Sequence, residues 1–503
     1  MKELLLGIDI GTSACKVAVF TPDGEVMAQK SESYPVYHPQ PGWAEQDPQD
    51  WWKAVGKALR NMFLESGLSP ASIAAIGVDG QSWSAIPVDS EGNVLANTPI
   101  WMDYRAEEQC AEILKKVSAE KLFAISGNPL QAAYSFPKML WFKENIPNVY
   151  DKTYKFLQAN SFLVQRLTGE FTQDLSQGYG LCCFNMETGQ WDTVLCWELG
   201  VDPKLLPDLF PSHQVVGKVT AQAAAFTGLL EGIPVVAGGL DAACGTLGAG
   251  VVRPGESQEQ GGQAGGMSIC MDSCKASPKL ILSRHVAPDR WLLQGGTVGG
   301  GGILRWLEEQ ICNEELRASR KNLTSVYYEM DKMAENIQSG SDGLIMLPYM
   351  AGERSPIWNS KAKGVYFGLD YSKTRAHMIR SAMEAVAFSL RHNLDTASAA
   401  GVEVGELRAM GGAANSRLWT QIKADVTGRE IAVPASDTAT TLGAAILAGV
   451  GVGIYPDVET AVERTVAVKR RYSPNPANRE VYDKGYQTYL ALYENLKNLM
   501  NEA

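Results

Sequence analysis

Buried apolar runs that end in a carboxylate or a glycine turn recur in both halves of this chain, and few architectures accommodate them. LLLGIDI ends in Asp9-Ile10 and turns through Gly11-Thr12-Ser13 into a second run, CKVAVF. IAAIGVD (73–79) runs into Gly80-Gln81-Ser82-Trp83, and GIPVVAGGL (232–240) delivers Asp241 at its carboxyl end. The later half has GGQAGG, GGTVGGGG and GGAANS. Runs of this length bounded by glycines predict buried strands, and in open α/β sheets ligands sit at strand carboxyl ends. One glycine cluster means little in a chain with 49 glycines. Turns after buried strands in both halves fit a nucleotide clamped between two lobes; the alternative is that all are structural turns.

The rest of the pattern predicts α/β lobes on either side of residue 248. TPDGE reads as a hairpin turn before a third strand, VMAQKS. Asp47 caps a helix with Pro48 at its first position and Trp52, Val55, Leu59 and Phe63 as its buried stripe. KMLWFKENI and NSFLVQRLTGE have helical spacing, the second stopping at Gly169. Further helices are predicted after GGTVGGGG, from about Thr374 to Ala400, in TTLGAAILAGVGVG, and over about 478–500. LRAMGGAANSRLW reads as strand, glycine turn and helix. The domains expected are 1–247 and 248–503.

Length allows more than one core: 503 residues exceed what a single hydrophobic core supports. A net charge of −11 leaves no basic surplus for nucleic acid. It does not exclude a nucleotide, because a glycine loop and a cation hold phosphates inside an acidic protein. Nine scattered cysteines and five dispersed histidines show no zinc spacing, so a reduced, cytoplasmic chain is expected. MKELLLGIDIG lacks a cleavage pattern, and no apolar stretch approaches membrane-spanning length, so no membrane partner is expected.

Asp9-Ile10-Gly11-Thr12-Ser13 has chemistry of its own. A tight turn there directs backbone N–H groups and two hydroxyls at a phosphate, and Asp9 suits a hydrated magnesium ion. The alternative is an ordinary hairpin with polar turn residues. With Asp241, the chain offers two carboxylates at two strand ends.

The strings GIDIGTSACKV, GWAEQDPQDWW, GVDGQSW, WMDYR, VVAGGLDAACGTLGAG, LPYMAGERSP, GGAANSRLWTQIKADVTG and LGAAILAGVGVGIY occur in this order over nearly the whole chain. In them the chain resembles the FGGY family of carbohydrate kinases, and within it the xylulokinase branch. The resemblance implies an α/β, two-lobed actin/hexokinase/Hsp70-like (ribonuclease H-like) ATPase fold with a central cleft. It implies ATP and Mg2+ as cofactors, and a small sugar or polyol as substrate. Asp241 stands where the family has its general base and Asp9 where it has the carboxylate that helps hold magnesium; both are expected near the metal. Gly11, Thr12, Ser13 and Lys16 match the first phosphate loop, and Gly261 to Gly265, with Gly262 and Gln263, the second. Gly299 to Gly302, with Gly301, and Gly411, Gly412, Ala413 and Asn415 match nucleotide-side loops. Gln81, Ser82, Trp83 and Asp103 match the sugar pocket. Relatives often dimerise, which leaves a homodimer open.

Four positions depart from the family pattern. The second phosphate loop, often Leu-Gly-Thr-Ser-Gly, here lacks hydroxyls. The sugar loop, often Gln-Met-His-Gly, is Gln81-Ser82-Trp83-Ser84. The residue after the base, often polar, is Ala242, and a frequent Lys-Asp-Tyr is Asn160-Ser161-Phe162. Three of the four fall near the expected sugar site. Lost hydrogen-bond partners there shift specificity strongly. D-xylulose or a related ketopentose is the first expectation, with ribulose, a tetritol, glycerol or gluconate as alternatives. An ATP-driven conformational protein and a regulatory protein without catalysis are the competing classes.

Overall fold

A computed structural model of the chain describes residues 3–435 and 438–502. Two seven-stranded sheets form its frame. In the first, β1 (Leu4–Ile10), β2 (Ala14–Phe20) and β3 (Val26–Ser33) make an antiparallel meander. β4 (Ile73–Gly80) lies parallel to β1, with Asp9 opposite Asp79. β5 (Val215–Lys218) edges the sheet beside β6 (Pro234–Val236), and β6 and β7 (Gly239–Leu240) both run parallel to β4. β1 and β4 are almost wholly buried, which is why they read as continuous apolar runs.

The second sheet repeats the plan. β8 (Ser257–Gly261), β9 (Gly265–Met271), β10 (Ile281–Arg284) and β11 (Trp291–Thr297) supply its antiparallel part, in the order β10-β11-β9-β8. β12 (Leu407–Met410) runs parallel to β8, β13 (Ile431–Pro434) parallel to β12, and β14 (Val468–Tyr472) closes the edge. In both sheets a glycine turn joins the first two strands of the meander: Gly11-Thr12-Ser13 between β1 and β2, Gly262-Gln263-Ala264 between β8 and β9.

Local chemistry explains the helices that frame the site. α1 (Pro48–Ser66) starts at Asp47, whose carboxylate accepts the Gln49 N–H, and ends at Gly67 in the left-handed region. α2 (Ala159–Thr168) stops at Gly169, and α3 (Asp241–Gly248) follows β7 directly. α4 (Gly301–Ile311) leaves the GGTVGGGG turn, α5 (Arg375–Ala399) starts at the Thr374 cap, and α6 (Arg417–Thr427) follows the Gly411-Gly412 turn. α7 (Ala439–Gly451) lies after the second sheet in the chain yet packs on β1, β4 and α3 of the first. α8 (Arg479–Glu502) closes the chain. No helix among the described residues is long and apolar enough to cross a membrane.

One expectation is corrected. GIPVVAGGL is not a single strand: Ala237-Gly238 separates β6 from β7. The Ala237 and Gly238 N–H groups are drawn to Gln214 and Ser212 carbonyls instead of a neighbouring strand. Gly238 sits at φ 78°, and a β-carbon there would meet the Val78 carbonyl oxygen at 1.9 Å. Asp241 therefore opens a helix; it does not end a strand.

Candidate active site

The first glycine turn is held from three sides. Tyr34 donates its hydroxyl to the Gly11 carbonyl at 2.6 Å. Gln46 donates to the Thr12 carbonyl, and the Trp101 indole N–H to the Thr12 hydroxyl at 2.9 Å. Gln81 Nε2 in turn donates to Gln46 Oε1. Ser13 and Lys16 are exposed beside this braced turn.

Three carboxyls gather at this end of the sheet. Asp9 is 3% exposed and accepts long hydrogen bonds from Lys16 and Thr440, each 3.4 Å. Asp241 is half-buried, with the Ala242 N–H donating to its Oδ1 at 2.6 Å. Burial, and then the charge of Asp9, push Asp241 up to about 7. The sequence reading did not single out Asp79. It is fully buried, and no hydrogen-bond donor among the described residues reaches either carboxylate oxygen. Burial and the charges of Asp9 and Asp241 hold it well above the usual carboxylate range. Asp79 therefore holds its proton more firmly than an ordinary carboxyl. Within GVDG nothing local announces it; only the register of β4 against β1 places it beside Asp9.

The residues expected to form the sugar pocket separate into two groups. Gln81, Ser82 and Trp83 follow β4. Trp83 sits at φ 63°, a left-handed conformation unusual for a bulky residue. Its N–H donates to Gln158 Oε1, and its carbonyl accepts from Lys138 Nζ at 3.0 Å. Its ring packs on Tyr134 and Tyr179, with centroids 4.7 and 5.4 Å away. Ser82 reaches the Tyr179 hydroxyl, which also feels the charges of Asp241 and Arg354. The Trp83 indole N–H and the Tyr134 hydroxyl are buried, with no hydrogen-bond partner among the described residues.

Asp103 belongs to the second group, built on its bonds to Ala44 and Arg105. It is fully buried, and its carboxylate accepts from the Ala44 and Arg105 N–H groups and from the Arg105 guanidinium. Arg105 also pairs with Glu45 and lies over the Trp43 and Trp141 rings. Asp103 thus braces its own loop. Lys138, also missed, is wholly buried and donates to the Trp83 and Ile100 carbonyls, tying the two groups together. Burial lowers it to about 7, so the neutral amine is favoured.

The second glycine loop borders a cavity of about 710 Å³. Gly262, Gln263, Gly301, Gly412, Ala413 and Asn415 all line it. The structure thus brings these expected nucleotide residues to one place. Gly411 supports them from outside: it sits at φ 81°, with room for no β-carbon against the Gly261 carbonyl, 2.8 Å away. Gly301 and Gly302 donate to the Gly262 and Gln263 carbonyls, locking the loop to the start of α4. The far wall, Leu304, Arg305, Ser325, Tyr327, Tyr328, Asp331, Ser416 and Trp419, was not singled out from sequence. Most of it belongs to ordinary amphipathic helices, which have no local signature of a site.

Comparison with known proteins agrees over the whole length. Residues 4–248 match the N-terminal domain of the FGGY family of carbohydrate kinases, and residues 271–452 match its C-terminal domain. A xylulose kinase of Staphylococcus epidermidis is 30% identical over 99% of this chain and 98% of its own. A gluconokinase of Bacillus licheniformis is 28% identical over 99% of this chain and 97% of its own. The crystal structure of xylulose kinase from Rhodospirillum rubrum has a TM-score of 0.89 at 29% identity, covering 99% of this chain and 100% of that one.

Proposed function

Because the chain belongs to the FGGY family of carbohydrate kinases, we propose that it transfers the terminal phosphoryl group of ATP to a hydroxyl of D-xylulose or a related ketopentose. Its fold is the two-lobed actin- and hexokinase-like ATPase fold. Residues 1–247 form the sugar lobe with the first phosphate loop, and 248–503 the nucleotide lobe. The observation that carries the reading is the convergence of three glycine turns, through Gly262, Gly301 and Gly412, on one cavity of about 710 Å³.

Phosphoryl transfer asks a protein for alignment and charge stabilisation more than covalent chemistry. Asp241 is the general base that accepts the proton of the attacking hydroxyl. Such help is typically worth ~10²–10⁴-fold. Its pKa near 7 suits a group that must take a proton during the reaction. The Gly11-Thr12-Ser13 turn offers backbone N–H groups and hydroxyls to the phosphates, with Lys16 at its edge. Gln81, Ser82 and Trp83 face the sugar, and the unpartnered Trp83 indole N–H and Tyr134 hydroxyl are donors for its hydroxyls.

The residues present fit a magnesium ion. Asp9 is a buried carboxylate that accepts two long hydrogen bonds among the described residues, and Asp241 stands near it. Magnesium held through one or two carboxylates and nucleotide phosphates needs no all-protein cage. When bound, the ion supplies positive charge against the phosphates.

A sugar acid is the second reading, supported by the nearly equal identity to the gluconokinase. The test is ADP release from Mg-ATP with a panel of pentuloses, polyols and aldonates, D-xylulose included. Release with a ketopentose supports the first reading, and release with gluconate the second. ADP release without any acceptor sinks both and favours an ATPase machine.

A further inference from the structure

LPYMAGERSP has no role in the site described above, yet it packs on the strand that pairs with the second phosphate loop. Glu353 and Ser355 pin this segment to the loop that ends β11. Glu353 is buried, and its Oε1 accepts the Val298 N–H at 2.7 Å and the Arg354 N–H at 2.8 Å. The Ser355 hydroxyl accepts the Gly296 N–H at 2.7 Å and donates to the Gly296 carbonyl at 3.1 Å. Arg354, between these two anchors, is held with its guanidinium over Gly296. A β-carbon on Gly296 would stand 3.2 Å from Arg354 Cζ and 3.3 Å from Nη2.

That place borders the second phosphate loop. Gly296 pairs with Gly266, and Thr297 with Gly265, the residue at which the second phosphate loop enters β9. On the other side, the Arg354 charge acts on Tyr179, which contacts Ser82 and feels Asp241. Arg354 itself is half-buried, and among the described residues no carboxylate forms an ion pair with it and its guanidinium donates no hydrogen bond. Glu353 beside it spends its carboxylate on backbone N–H groups and Ser389. Arg354 acts on the Glu353 carboxylate only through space, and an arginine with no ion-pair partner among the described residues is set to receive an anion from a ligand.

We propose that Arg354 is a further catalytic residue whose guanidinium contacts the phosphoryl group in transfer. The proposal rests on the kinase reading above. In the step, the acceptor oxygen bonds to the terminal phosphorus while that phosphorus loses its bond to the bridging oxygen. The electron pair leaves on ADP, and the hydroxyl proton goes to Asp241. Negative charge spread over the equatorial oxygens is what a planar, fixed cation stabilises.

The experiment is calorimetric titration of Mg-ADP, with and without aluminium fluoride as a mimic of the phosphoryl group, on wild type, Arg354→Ala and Arg354→Lys. Mg-ADP alone should bind all three within a few-fold. Aluminium fluoride should tighten wild-type binding by roughly 10²-fold or more, Arg354→Ala should lose that gain, and Arg354→Lys should recover part of it. Equal tightening in Arg354→Ala overturns the proposal. So does loss of Mg-ADP binding itself, which would mark Arg354 as structural support for the nucleotide cavity. Turnover with the substrate found in the panel gives a second readout: lower kcat at unchanged sugar KM is expected. A raised sugar KM at unchanged kcat would instead make Arg354 a contact for the sugar, such as an aldonate carboxylate. A wild type that binds no Mg-ADP at all fails differently, by removing the kinase reading.

Discussion

Trp83 is held in an uncommon backbone conformation by two long-range contacts, the Gln158 and Lys138 side chains. Side chains held at such cost cluster at functional sites. Trp83→His should change the relative rates among the sugars of the panel while leaving ADP affinity unchanged; an unaltered profile would remove Trp83 from the pocket. Lys138 adds a pH signature. An unfolded lysine keeps its proton to about 10.4, whereas the buried one sheds it above about 7. Between those values the unfolded state binds more protons, so stability rises with pH, by up to roughly 1.4 kcal/mol per unit. Urea unfolding at pH 7, 8 and 9 should show that rise in wild type and a flatter dependence in Lys138→Met; equal slopes would contradict the neutral amine. Single residues were legible in sequence where their neighbours marked them, as the glycines around Asp9 did. Lys138 and Asp79 were not, because their burial is created by elements far away in the chain.

Among the elements, α7 matters most to the site. It meets the first sheet backbone to backbone: a β-carbon on Gly7 would lie 1.9 Å from the Thr441 carbonyl oxygen, and one on Gly77 1.9 Å from that of Ala444. Gly443 makes the same approach to the Cys244 carbonyl of α3, the helix that opens with Asp241. Overpacking of this kind typically costs 1–3 kcal/mol, and here the obstacle is backbone. Gly443→Ala should lower stability by about 3 kcal/mol and reduce kcat together, because relief requires α3 to move. Denaturant unfolding and turnover check this, and a variant near wild type in both would show that the contact yields cheaply. The small residues of TTLGAAILAGVGVG predicted a tightly packed helix, but not that it packs on the first sheet. The ends of α1, α2 and α5 were legible because their caps are local. The break at Ala237-Gly238 was not, since it comes from carbonyls at 212 and 214.

Across the chain, two sheets of one plan place two glycine loops and one half-buried carboxylate at the turn ends of parallel strands. That arrangement was readable as strands followed by glycines in both halves. The nucleotide cavity was readable only on its glycine side, because α4 and the helix Val326–Glu335 look like surface helices. The central claim is that Asp241 takes the proton of the acceptor hydroxyl. If so, wild-type kcat/KM should fall as pH falls through about 7, where the carboxylate protonates. The direct measurement is Asp241→Asn against wild type: kcat for sugar-dependent ADP release, with Mg-ADP affinity and thermal unfolding taken on the same samples. A loss of at least ~10²-fold in kcat is expected, with affinity and unfolding temperature essentially unchanged. Turnover near wild type in Asp241→Asn, or a loss of activity matched by a loss of folding or nucleotide affinity, would contradict it.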